Sequence, residues 1–441
     1  MTTALDRLQQ FRQRLYQTFC QRADVAMDLI DALAHSDQVE SPVAVSQVPS
    51  FRRRFASIYD ALHFTKRDQP QLERLLYDSV PSDSQTLAGY EVYAVDVTPQ
   101  PRPAAATLAD RTLLRGRDDE AAVPGHKHSL LVRLVQTGKS WVAPLALQRV
   151  ASDSTGPQVA AEQVRQLHQQ SAQPKAVVAD SGYANHWFLR AFVAMQGLCA
   201  LVRLRSNQVL YEAGSVQQRR GRKRVHGDPF RLSAPARPPD RQQELALPGG
   251  RVVLKAWHNL HFIKLARLPG VVIQVQWFRP DGQLRHQRPW WLLWSGPTSV
   301  SLEALFQMYA WRFAIEHTFR FLKQHLGWNA AYLVLAPATE CWVWLGLLAY
   351  WQLLLAREVV TGYVPPWQAK PKETSPWAYT PRQIQRALPG FLAEIGTPAV
   401  APKPAGKGSG RPLGFIPKPR TRYPIIVKGQ KAPKVVAPAA A

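Results

Sequence analysis

Four polar side chains in the run YAWRFAIEHTFRFLK, namely Tyr309, Arg312, Glu316 and Lys323, have the types and spacing to act together on a phosphate. Their pattern is Y-x2-R-x3-E-x6-K, and no glycine or proline interrupts it, so the run reads as helix. At about 100° per residue the four fall within an arc of roughly 60° on one face. Ile315, Phe319, Leu322 and Leu326 fill the neighbouring arc, the stripe such a helix needs to pack on a core. A carboxylate, a hard oxygen ligand for a divalent ion, thus stands among cations, one of them an arginine suited to bidentate phosphate binding. On an arbitrary helix the same Arg312 and Glu316 would be no more than an exposed ion pair.

Two upstream strands supply further carboxylates. YEVYAVDVT ends near Asp96, and AVVADSGY reaches Asp180. A buried strand that ends in an aspartate just before a loop is where α/β sheets expose their chemistry. Either aspartate alone would read as a turn or cap residue; with Glu316 they form a set. Two strand-borne aspartates followed by a helix-borne glutamate is the order of carboxylates in a ribonuclease H-like nucleotidyl-transfer core. Over residues 90 to 355, roughly, the chain resembles the DDE transposases of bacterial insertion sequences, in the branch with the Tyr-Arg-Glu-Lys helix signature.

Phosphodiester cleavage needs a nucleophilic water or hydroxyl and a stabilised leaving oxygen, which two divalent ions about 4 Å apart can serve together. Carboxylates suit Mg²⁺, with Mn²⁺ as a substitute. Asp96 is expected to bridge the two ions, and Asp180 and Glu316 each to complete one site. Tyr309, Arg312 and Lys323 are expected to hold phosphates. The resemblance implies that a free 3′-OH at the element's end then attacks target DNA, and that a homodimer bridges two ends. It also implies a tryptophan just upstream of the helix that holds a flipped base, a place taken here by Trp290 or, preferentially, Trp291. Two readings compete with a transposase that acts on terminal inverted repeats. One is a domesticated DNA-binding protein without catalysis, against which the intact Asp96, Asp180 and Glu316 count; the other is a stand-alone structure-selective nuclease or resolvase.

The elements that must position these residues imply an α/β fold, a ribonuclease H-like core interrupted by a β-rich insertion domain. Residues 1–88 read as a helical N-terminal domain separate from the core, with Arg52, Arg53 and Arg54 as phosphate candidates. Residues 89–206 form the first part of the core, opened by three antiparallel strands in YEVYAVDVT, SLLVRLVQ and WVAPLALQRV. The irregular stretch between the first two carries Asp110, Arg111, His126 and His128, which loop polarity explains adequately. Two further segments, VAAEQVRQLHQQSA and SGYANHWFLRAFVAMQG, read as helices. Residues 207–288 form the insertion, whose basic loop offers Arg219, Arg220, Arg222, Lys223 and Arg224 as a phosphate clamp. Residues 289–358 complete the core with the glutamate helix. Residues 359–441 add a short helix and an extended basic tail that follows DNA.

Composition agrees with that assignment. Of 441 residues, 46% are hydrophobic, enough for a sizeable core, and Lys+Arg 55 against Asp+Glu 31 leaves a formal charge of +24. Such an excess favours a polyanion, and double-stranded DNA is the simplest. A membrane is the competing partner, but the longest apolar run, Trp342 to Ala356, is short for a span and contains Gln352, so it reads as a buried core helix. The N-terminus shows no secretory signal, which predicts a cytoplasmic protein held at the nucleoid through DNA. Cys20, Cys199 and Cys341 lack metal-ligand or disulfide spacing and are expected to be reduced, mostly buried thiols.

Overall fold

The computed structural model describes residues 3–114, 121–193, 195–214, 224–360, 375–404, 410, 412–416 and 419–430. Helices α1 (Ala4–Gln17), α2 (Ala23–His35), α3 (Pro42–Val45), α4 (Phe55–Phe64) and α5 (Gln69–Asp78) make up the N-terminal region, with the short strands β1 (Phe19–Gln21) and β2 (Lys66–Arg67) paired between them. A capping box of Thr3 and Asp6 starts α1 by satisfying otherwise orphaned backbone donors.

The centre is a mixed sheet. Strands β3 (Glu91–Pro101), β5 (Val123–Leu134) and β6 (Val142–Val150) run antiparallel, as the sequence predicts, with the short β4 (Thr112–Leu114) also on β5. After α6 (Gly156–His168), β7 (Lys175–Ala179) and β8 (Leu198–Leu204) lie parallel to β3. The order β6-β5-β3-β7-β8 is consistent with the expected ribonuclease H-like core.

The β-rich stretch that follows is divided. Strands β9 (Val209–Ala213) and β10 (His226–Arg231) form a separate ribbon, whereas β11 (Arg241–Leu247), β12 (Gly250–Leu260) and β13 (Gly270–Phe278) continue the main sheet through β14 (Trp290–Trp294), which pairs with β8. Their alternating apolar residues, such as Val252, Leu254 and Ala256, are buried in the common core. Three of the insertion strands therefore widen the central sheet instead of standing apart from it.

The segment after Asp180 is not one helix. It is a 3₁₀ turn at Ser181–Tyr183, the single-turn α7 (His186–Leu189) and a second 3₁₀ turn at Arg190–Phe192. The Asn185 side chain accepts from the backbone N–H groups of Trp187 and Phe188, a cap that starts a new helix and so ends the preceding turn.

Helices α8 (Leu302–Trp311), α9 (Phe313–Gln324) and α10 (Ala336–Ala356) follow, then α11 (Pro381–Ala387) and α12 (Leu392–Ile395). Helix α10 is the expected buried helix, tied to the sheet by Trp351 Nε1 donating to the Pro144 carbonyl at 2.7 Å. Its other side packs on α1, α2 and α4. Arg12 grips both Asp31 oxygens, at 2.6 and 2.8 Å, and also donates to Gln352 of α10. The N-terminal helices thus share the core, which corrects their reading as a separate unit. Arg52 and Arg53 are both paired with Asp28, at 2.6 and 2.8 Å. Parts of the basic tail lie along the core, where Ile426 bridges Thr112 of β4. Among the described residues no helix is long and apolar enough to cross a membrane. Cys199 and Cys341 are buried free thiols, whereas Cys20 is exposed.

Candidate active site

Asp96 and Asp180 come together because β3 and β7 are parallel neighbours. The pair Ala94 and Val178 is the last in register, and each aspartate lies two residues further on: Asp180 directly follows β7, and Asp96 sits midway along β3, where its pairing with β7 has ended. Local hydrogen bonds orient both acids: Asp96 Oδ1 accepts from Val97 N at 2.7 Å, and Asp180 Oδ1 from Gly182 N at 2.8 Å. Asp96 points to the same sheet face as its cross-strand partner Leu130. Helices α8 and α9 pack over β7, β3 and β6 there, while α6 covers the opposite face, where its Gln163 meets Ser129.

The signature run is two helices. Arg312 sits between α8 and α9, with its N–H bonded to the Tyr309 carbonyl and its own carbonyl bonded by Ile315 N–H, an i to i+3 tightening of the turn. Ile315, Phe319, Leu322 and Leu326 are all buried, as their spacing predicts. The Arg312 guanidinium reaches Glu316 Oε1 at 2.7 Å and Asp96 Oδ2 at 3.5 Å. Its side chain is 7% exposed, against 20% for Asp96 and 45% for Glu316. It is therefore a buried cation serving two acids, not half of a solvated helical pair.

Burial, then the charge of Asp180, pushes the Asp96 carboxyl up to about 7, while Arg312 pulls the other way. Burial opposes the charge on Arg312, yet Tyr309, Asp96 and Glu316 outweigh it and hold the guanidinium charged. Tyr309 is buried, its ring 5.8 Å from Arg312 and 6.1 Å from the Trp290 ring. Lys323 does not join this group: it lies seven residues past Glu316, about 10 Å along α9, where its charge acts on His128.

Trp290 and Trp291 face opposite ways from β14. Trp291 is 2% exposed and packs on Trp257 in the core, so it offers no face to a base. Trp290 is half-buried, with His286 stacked on its ring and the Arg203 guanidinium 5.0 Å from it. The preference for Trp291 is thereby corrected, since strand alternation turns adjacent side chains to opposite sides. Arg224 is exposed; Arg219, Arg220, Arg222 and Lys223 lie outside the described residues. Asp110 pairs with Arg149, Arg111 donates to the carbonyls of Arg102, Pro103 and Tyr423, and His126 meets the Ala109 carbonyl, so these three serve the architecture. His128 is buried against Trp328.

Two residues at the site escaped the sequence reading. Arg203 stacks on Trp290, and its charge acts on Tyr309; the signal was a lone arginine inside the apolar strand LCALVRL. Tyr183 is fully buried within electrostatic reach of both aspartates, and its hydroxyl has no hydrogen-bond partner among the described residues. The signal for it was an aromatic in the turn directly after Asp180.

The donor set of three carboxylates suits a hard divalent ion, and the burial and the neighbouring charge of Asp180 that lift Asp96 are what such an ion would offset. As the side chains stand, Arg312 is the cation that neutralises two of them, and among the described residues no three His, Cys, Asp or Glu side chains are grouped to hold one ion.

No curated protein matches the chain. The family model of the DDE superfamily endonuclease matches residues 14–260, a span that includes Asp96 and Asp180 and ends before Glu316. Endonucleases of that superfamily act on DNA and generally use divalent metals. With more than half its length matched and two of its acids side by side on the central sheet, the chain belongs to the DDE superfamily endonuclease family.

Proposed function

We propose that the protein is the transposase of an insertion sequence, of the Tyr-Arg-Glu-Lys branch, that binds terminal inverted repeats as duplex DNA, cuts a strand at their ends and joins the 3′-OH to target DNA. The observation that supports this reading is the adjacency of Asp96 and Asp180 on parallel strands, with Arg312 linking Asp96 to Glu316. Asp96, Asp180 and Glu316 would hold Mg²⁺, or Mn²⁺ in its place, and the ions would supply an activated nucleophile and a stabilised leaving oxygen.

The chain's own groups do the positioning. Arg312 exchanges its carboxylate partners for a phosphate at the scissile end, its planar fork setting the strand's register. Tyr309 and Arg203 back that arginine and the Trp290 ring, and Trp290 takes the flipped base. Lys323 and Arg224 hold phosphates further along the duplex. A homodimer brings two ends together, and the net charge of +24 keeps the protein on nucleoid DNA. The test is cleavage of a duplex carrying the inverted repeats that flank the reading frame, with Mg²⁺, by wild type and Asp96→Asn. Cutting at the repeat ends by wild type alone supports the proposal. Equal cutting of unrelated duplexes would make the protein a stand-alone nuclease, and binding without cutting a non-catalytic one.

A further inference from the structure

A groove of about 690 Å³ opens between the segment after Asp180 and the loop that follows β12. Arg190 enters it from the first, and Lys264 and Arg267 from the second. All three are exposed, and none is in an ion pair among the described residues. No carboxylate lines the groove among the described residues. Three unopposed cations converging in one concavity form a site for phosphates.

Apart from His186 and His226, the rest of the lining is apolar, unlike that of a duplex-binding surface. Val225 and Ile263 both line the groove with about half of their surface exposed. Beside it, Trp187 is 53% exposed, its ring 4.5 Å from that of the lining His186. The Asn185 cap turns Trp187 outward while Phe188 and Leu189 go into the core. Duplex DNA presents phosphates outside and keeps base faces stacked within, so it would satisfy the cations and leave these side chains uncovered. An unpaired strand offers both phosphates and base faces, the combination that cationic grooves with aromatic platforms bind.

We propose that this groove is a binding site for single-stranded DNA. Its first lining residue, His186, follows Asp180 by six positions in the chain. The inference rests on the nuclease reading only for the source of the strand, the unpaired nucleotides left where a duplex end opens at the site.

The test uses the full-length protein in EDTA, so that no cutting occurs. Fluorescence anisotropy follows a labelled mixed-sequence single strand of about 16 nucleotides, and a blunt duplex of the same sequence, across a salt series. The variant Arg190→Ala/Lys264→Ala/Arg267→Ala should bind the single strand at least tenfold more weakly and lower its salt slope by about 2, since each phosphate contact on a single strand contributes about 0.7. Duplex affinity should fall less than threefold. Trp187→Ala should cost roughly tenfold on the single strand, and Trp187→Phe little, because a ring still stacks. Unchanged single-strand binding by the triple variant, or equal losses on both DNAs, would overturn the proposal. Should wild type fail to cut any DNA in Mg²⁺ while this pattern holds in EDTA, the nuclease reading falls and the groove stands.

Discussion

Arg312 lies 3.5 Å from Asp96, a residue 216 positions earlier in the chain, while also holding its helical neighbour Glu316 at 2.7 Å. One guanidinium thereby joins the glutamate helix to the central strand. Arg312→Lys keeps the charge and loses the planar fork that can serve two partners at once. Single-turnover cleavage should fall tenfold or more, about 1.4 kcal/mol in barrier, with little change in melting temperature. Undiminished cleavage would show that the arginine only pairs acids.

The raised Asp96 carboxyl sets a pH dependence. It titrates near 3.8 in the unfolded chain and at about 7 in the fold, so between those values the folded state holds the extra proton. Its contribution to stability is whole below about 3.8 and is lost as pH rises to about 7. Without divalent ions, Asp96→Asn should therefore melt higher than wild type at pH 8. Mg²⁺ should stabilise wild type more at pH 8 than at pH 5.5, because binding requires the ionised carboxylate. A Mg²⁺ effect independent of pH, or one preserved in Asp96→Asn, would remove Asp96 from the metal site.

Glu316 is nearly half exposed, and Arg312 keeps its second acid, Asp96, when Glu316 is changed, so the loss of stability should stay below about 1 kcal/mol. Glu316→Gln should change thermal unfolding little and lower cleavage by about a hundredfold or more, because the metal ion it would hold, which stabilises the developing charge, is lost or misplaced. Retained cleavage would mean that the two aspartates suffice.

The two adjacent tryptophans should separate cleanly. Trp291→Ala removes a fully buried ring and should cost about 3–5 kcal/mol of stability. Trp290→Ala should cost less and instead abolish the fluorescence rise of a 2-aminopurine placed at the terminal base of the repeat, the signal of an extruded base. The same rise in wild type and Trp290→Ala would deny Trp290 that role.

The N-terminal helices should not be removable. Residues 89–441 alone would expose the side of α10 that α1, α2 and α4 cover, and would leave Gln352 without Arg12 and Asp31. Aggregation of that fragment in size-exclusion chromatography is the expected result, because a contiguous apolar face this large does not stay in water. A monodisperse, cooperatively unfolding fragment would show that the core stands alone.

Much of this protein is legible in local patterns. Apolar strands leading to Asp96 and Asp180, the stripe Ile315, Phe319, Leu322 and Leu326, and the largely apolar run of α10 are local patterns, which a chain carries wherever it folds. Those patterns sufficed for the antiparallel opening of the sheet and the buried helix, and they nominated the three acids. What they could not contain is set by partners distant in sequence. The contact of Arg312 with Asp96 depends on α9 crossing β3; the burial of Trp291 and openness of Trp290 depend on which side of β14 the neighbouring strands and helices cover; and Arg52 and Arg53, read as phosphate ligands, meet Asp28 because α2 passes beneath them. Side-chain periodicity says which residues share a face, but only the packing of one element on another decides which face meets water, an acid or the core.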